Sequence, residues 1–247
     1  MNKKLLTIVG ICAALLLVVY IGLNFFLGSV VTAGVNRFGP KITQTKVELA
    51  SASISPLSGS GTLTGLTVGN PKGWTAESAF YLRKIRIVVK PFSIFGDHIV
   101  VNEIFIDQPD FIYETKIIAS NIGDLLKNIE AATGGAAKDG QPTAKNGKPI
   151  KFEVKHFRMQ NGTVIVGFGP TALKLPMPAI ELNDLGTKEG GITPDQLAFA
   201  VMRSVTPSII AATAQAAGQI GTTSGAAALE GVKKTGAAIK GLFGGKK

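Results

Sequence analysis

The uncharged run from Leu5 to Leu27 constrains this chain more than any other stretch. As an α-helix it is about 34 Å long at a rise of roughly 1.5 Å per residue, against a hydrocarbon core of about 30 Å, which is long enough to span a bilayer. Its candidate anchor residues are Leu5, Leu15, Leu16, Leu17, Val18, Val19, Phe25, Phe26 and Leu27. Lys3 and Lys4 stand just before it. That charge asymmetry favours a cytoplasmic N-terminus and places everything after Gly28 across the membrane. A cleaved signal peptide has an apolar core of roughly 7–15 residues, shorter than this one, and Val31-Thr32-Ala33 offers only a weak cleavage site, so a retained single-pass anchor is expected. Cys12 follows a bulky Ile11, where lipid-modified cysteines resemble one another in having a small residue, and its thiol reads as a space-filler.

Of the 247 residues, roughly 220 remain beyond the anchor, room for one large or two small domains. Cys12 is the only cysteine, so the exported part has no disulfide and no thiolate metal site, and packing must supply its stability. The net charge of +10 comes from lysines and arginines scattered along the chain. Across a membrane it faces anionic lipid head groups or acidic polymers rather than nucleic acid. Equally, lysine keeps a β-rich protein soluble and blunts its edges.

Five segments follow in order. Residues 1–28 are the anchor. Residues 29–131 begin with a short helical spacer, Ser29 to Ile42, with a break expected at Gly39-Pro40. They then turn to strands: Val47 and Leu49 alternate with charges, Leu63 then Leu66 and Val68 with threonines, and Ile85, Ile87 and Val89 with Lys84, Arg86 and Lys90. The phase slip between Leu63 and Leu66 falls at Gly65, where a bulge is expected. Strands at Ile99 to Ile106 and Phe111 to Glu114, with turn signals at Gly69-Asn70-Pro71, Gly96-Asp97 and Gln108-Pro109-Asp110, predict an antiparallel meander. Ser120 or Asn121 caps a helix carrying Ile122, Leu125, Leu126 and Ile129.

Residues 132–149, rich in glycine, alanine and lysine without periodicity, read as a flexible insert. Residues 150–192 resume the sheet, with Asn161-Gly162 predicting a hairpin into Val164, Val166 and Phe168. Residues 193–247 open with Thr193-Pro194-Asp195-Gln196, an N-cap, first-turn proline and capping-box glutamine, and carry Leu197, Val201, Val205 and Ile209 on one stripe with a kink expected at Pro207. Beyond Gly225, Leu229, Val232, Ile239 and Leu242 share a side, with Lys233, Lys234 and Lys240 elsewhere. This describes a candidate membrane-surface helix or a disordered basic tail. The fold class is therefore α+β, mainly β: one transmembrane helix, an antiparallel curved sheet, a few helices and a C-terminal helical region.

Chemistry is sparse. His98 and His156 sit in alternating strands without grouped acids, so no metal, cofactor or nucleophile–base pair is expected. Gly59, Gly61, Gly65 and Gly69 lack the following helix of a phosphate loop. Asp107, Asp110 and Glu114 read as solvated turn acids. A non-enzymatic protein is expected, with a hydrolase the least favoured class.

The order of features resembles the N-terminal module of the AsmA family, over roughly Leu5 to Glu130. The anchor, Gly61-Thr62-Leu63-Thr64-Gly65-Leu66-Thr67-Val68-Gly69-Asn70-Pro71, the isoleucine-rich strands, Asp107-Gln108-Pro109 and Ser120-Asn121-Ile122 carry the resemblance. It implies a protein anchored in the inner membrane of a Gram-negative bacterium with its bulk in the periplasm. Family members resemble bridge-like lipid-transfer proteins, whose curved sheet forms an apolar groove implicated in phospholipid movement and outer-membrane assembly. This chain departs from the large members in being short, so bridging of the periplasm by a single copy is not expected. The leading expectation is lipid binding or transfer, or help in envelope biogenesis, with Ile85, Ile87, Val89, Val164, Val166 and Phe168 as candidate groove residues. The alternative is a structural module that binds another envelope protein.

Overall fold

A computed structural model describes residues 3–133, 141–167 and 172–219. Helix α1 runs unbroken from Lys3 to Thr43, so the break expected at Gly39-Pro40 is absent. Pro40 lies in the last turn, so the one backbone bond it removes, to Asn36 O, falls where the helix is already ending. The helix end is held by close packing, since a Cβ on Gly39 would sit 2.7 Å from Val47 Cγ1. Thr43 Oγ1 donates to Gly39 O at 3.0 Å, and Gln44 then turns the chain with a φ of 55°. The residues read as a spacer are part of the packed fold. α1 doubles back along strand β1 (Val47–Ile54).

The described residues form one curved, open sheet of nine strands. After β1 come β2 (Ser60–Gly69), β3 (Ser78–Val89), β4 (His98–Asp107), β5 (Asp110–Tyr113), β6 (Lys151–Gln160), β7 (Gly162–Val166), β8 (Leu173–Met177) and β9 (Ile180–Leu185). The first four form the expected antiparallel meander. The sheet as a whole is mixed, however, because β4 pairs with β6 and β5 with β7 in parallel. Nor is Asn161-Gly162 a hairpin. β6 and β7 run on in one direction beside β4 and β5, and Asn161 takes a single left-handed kink, φ 54°. Gln108 does the same between β4 and β5, φ 55°.

The nine strands are thus six long rows, three of them broken at one level. Register is continuous through every break: Leu49 pairs with Leu66, Leu66 with Leu82, Ile85 with Ile106, Ile106 with Met159 and Met159 with Ile180. In each row the inward positions step by three residues instead of two: Leu49 to Ala52, Leu63 to Leu66, Leu82 to Ile85, Ile106 to Pro109, Met159 to Gly162 and Met177 to Ile180. The slip at Gly65 (φ 69°) is one point on a crease that crosses the whole sheet. Hydrogen bonds close over it, Gln108 N to Gln160 O at 3.0 Å and Thr163 N to Pro109 O at 2.8 Å, and Asn161 Nδ2 donates to Asp107 Oδ1 at 2.8 Å. The crease lets a twisted sheet bend while keeping one face apolar on both sides of it.

Helices α2 (Asn121–Ala131) and α3 (Pro194–Gln219) lie on that apolar face. Ser120 Oγ accepts from Gly123 N and caps α2, and Gln196 Oε1 accepts from Thr193 N at the head of α3. α3 continues through Pro207. It is long and apolar enough to cross a membrane, but Met202, Val205, Ile209 and Ala212 are buried in the core. Part of the segment read as a flexible insert is an ordered turn. Thr143 bridges Pro149, Asn146 Nδ2 donates to Asp97 Oδ2 at 3.1 Å, and Gln141 Nε2 donates to Asp195 Oδ1 at 3.1 Å.

Candidate functional site

Two ends of the sheet are distinguished by α1. At one, Tyr20 Oη and Ser55 Oγ share a hydrogen bond of 3.1 Å; this is the anchor end. At the other, α1 finishes at Thr43 and α2 begins. The anchor residues expected from Leu5 to Phe26 are exposed, on a helix long and apolar enough to cross a membrane. Leu27 is the exception, being buried. Gly28 beside it packs so closely on Ala52 that a Cβ there would overlap the Ala52 carbonyl.

The sheet's apolar face holds the candidate groove residues in two groups separated by the crease. Ile85, Ile87 and Val89 lie on the anchor side, and Val164 and Val166 on the far side. They do not form one open surface. Ile85, Val89 and Val164 are buried core, with α3 packed on β7 and β8 above Val164. Ile87 and Val166 are half-buried. Phe168 and the candidate membrane-surface residues Leu229, Val232, Lys233, Lys234, Ile239, Lys240 and Leu242 lie outside the described residues. What stays partly open is the anchor half, where Leu63, Ile87, Ile104, Ile99 and Ile94 are half-buried among the buried Ile85, Val89 and Val101. Gly61 leaves a gap in this floor that Ile87 and Ile54 lean into, each with a carbon within 3.0 Å of where a Cβ would stand.

The opposite face is polar. Phe105 is sandwiched by two guanidinium groups, Arg86 at 4.4 Å and Arg158 at 4.9 Å from its ring centroid, and Arg158 approaches Glu103 at 3.8 Å. Stacked arginine covers an outward aromatic while its charge stays in water. The histidines have local partners: His98 faces Glu153 at 3.4 Å and His156 meets Asn183 at 2.9 Å. Among the described residues there is no cluster of three or more metal-ligating side chains.

The far end is closed by a polar knot. Asn121 Nδ2 donates to Asn70 Oδ1 at 2.8 Å and to Ile112 O at 2.7 Å, and its Oδ1 accepts from Glu114 N at 2.9 Å. Asn70 Nδ2 and the Ala76 and Thr75 amides converge on the Glu114 carboxylate. Trp74 Nε1 donates to Asp124 Oδ2 at 3.1 Å, with Lys116 over its ring. Glu114, read as a solvated turn acid, is instead the hub that holds the Gly-Asn-Pro turn against the Ser-Asn-Ile helix start. Exposed apolar residues not anticipated from sequence are Leu57, Phe92, Phe95, Ile117 and Ile118. Pro91-Phe92-Ser93-Ile94-Phe95, an apolar run inside a turn, was the available signal.

Comparison with protein-family models and with curated proteins finds no match to this chain.

Proposed function

We propose that this is a non-enzymatic, membrane-anchored envelope module that holds lipid acyl chains against the anchor half of its sheet. The supporting observation is that Leu63, Ile87, Ile104, Ile99 and Ile94, on the apolar face toward the end where α1 meets the sheet, are only half-buried among the buried Ile85, Val89 and Val101. A strip of this kind lacks the polar partners of a catalytic pocket and suits a flexible hydrocarbon. Phospholipid is the intended ligand, the compartment is the periplasm, and the N-terminus is cytoplasmic. Each acyl methylene moved there from water contributes about 0.8 kcal/mol.

Native mass spectrometry of a chain beginning at Ser29 is expected to show bound phospholipid. Ile87→Asp or Ile104→Asp removes it, and Arg86→Ala, on the opposite face, does not. A folded Ile87→Asp protein that still carries lipid overturns the assignment; if aspartate prevents folding, Ile87→Thr applies the same test. A second reading, a scaffold for another envelope protein, is favoured by Ile117 and Ile118 standing exposed at the far end.

A further inference from the structure

The loops at the anchor end carry a second apolar surface. Leu57 is 68% exposed, Phe92 70% and Phe95 56%. Leu57 belongs to the β1–β2 loop and the phenylalanines to the β3–β4 loop. The two loops touch: Val89 N donates to Gly59 O at 2.8 Å, and a Cβ on Gly59 would lie 3.4 Å from Pro91 Cδ. Phe92 is held outward with a φ of 68°, a left-handed conformation that a bulky residue adopts only when its surroundings impose it.

Their height is fixed by α1. Tyr20 lies about 24 Å along the helix from Lys4, and a hydrocarbon core of about 30 Å starting at Lys4 ends near Asn24. Ser55, bonded to Tyr20 at 3.1 Å, therefore stands about 6 Å below the end of that core, among the upper acyl carbons. Tyrosine is enriched at the interface just above. Much of the loop backbone is satisfied internally. Ser55 N, Gly59 N, Lys90 N, Ser93 N, Phe95 N and Gly96 N all donate to backbone carbonyls, and Pro56 and Pro91 have no N–H to satisfy. No charged residue lies between Ser55 and Ser60 or between Pro91 and Gly96. Lys90 and Lys145 are exposed at the same end, where ammonium groups meet lipid phosphates.

We infer that this end of the sheet is itself seated in the membrane that α1 spans, with Leu57, Phe92 and Phe95 inserted at the interface of the leaflet where α1 emerges. The inference rests on the spanning role proposed for α1, and it makes the apolar floor continuous with the bilayer. The test uses the full chain in a Cys12→Ser background, reconstituted in vesicles of phosphatidylcholine and phosphatidylglycerol. Leu57→Cys, Phe92→Cys and Phe95→Cys are each labelled with an environment-sensitive fluorophore and exposed to nitroxide lipids. Leu16→Cys serves as the deep reference and Ile118→Cys as the aqueous one. The three loop labels are expected to be quenched several-fold more than Ile118→Cys, and most strongly by nitroxides high on the acyl chain. Loop labels as unquenched as Ile118→Cys, with Leu16→Cys quenched, overturn the inference alone. An unquenched Leu16→Cys overturns the spanning reading and the inference with it.

Discussion

Single side chains decide how this sheet is closed. Asn36 of α1 offers its amide to the outer edge of β1: its Oδ1 accepts from Leu49 N at 2.6 Å and its Nδ2 donates to Leu49 O at 3.2 Å. One side chain thus imitates the pairing a further strand would give. Tyr113 is the contrary case. It is buried, its hydroxyl stands beside Ser120 and Thr115 without a well-formed hydrogen bond to either, and burial, outweighing those two neighbours, pushes its pKa up from the usual value of 10.0. Tyr113→Phe is therefore expected to leave stability at neutral pH unchanged or raised by about 1 kcal/mol, because it removes an unmet polar group. The sign with pH follows. Since the folded state disfavours the phenolate, the unfolded chain ionises first, so stability is full below the ordinary tyrosine pKa and falls as pH rises through it. Urea melts from neutral to strongly alkaline pH should show a shallower alkaline loss for the variant.

At the scale of elements, the strands were legible and their pairing was not. Alternation from Lys84 to Lys90 is a local property, so it marks a strand and its inward residues directly. Nothing local distinguishes a neighbour that runs parallel, and Asn161-Gly162 misleads because asparagine's tolerance of positive φ serves a one-residue kink as well as a hairpin. The same holds for the groove. Periodicity places Ile85, Ile87 and Val89 on one face, but which of them a distant helix covers depends on tertiary packing. Gly65 was the visible trace of the crease, whose other members emerge only once the rows are aligned. The crease also makes unequal demands. Gln108, at φ 55°, has a Cβ where glycine would be easier, so Gln108→Gly should stabilise by about 1 kcal/mol. Gly65→Ala should destabilise by about 1–2 kcal/mol, given its φ of 69° and a new Cβ only 3.0 Å from that of Ala50. Shifts in urea midpoint at constant slope would check both.

On the scale of the whole molecule, α1 belongs to two environments, with exposed apolar residues at its start and the edge of β1 against its later turns. An anchor and a domain joined by a spacer, as the sequence reads, would separate cleanly at residue 43. This fold should separate only before Asn36. A chain beginning at Ser29 is expected to be monomeric, whereas one beginning at Gln44 bares the edge of β1 and should self-associate, a difference that light scattering would register. A monomeric, equally stable chain from Gln44 would show that α1 adds nothing to the sheet.

The unbroken course of α1 has a mechanical consequence. A spanning helix adapts to a thinner bilayer by tilting, and here no joint separates the tilting rod from the sheet clamped along it. From Asn24 to Thr43 the rod extends about 28 Å beyond the hydrocarbon, so a tilt of about 20° would swing the far end of the sheet sideways by about 10 Å. On the spanning reading, bilayer thickness would then set the direction in which the far end of the sheet points.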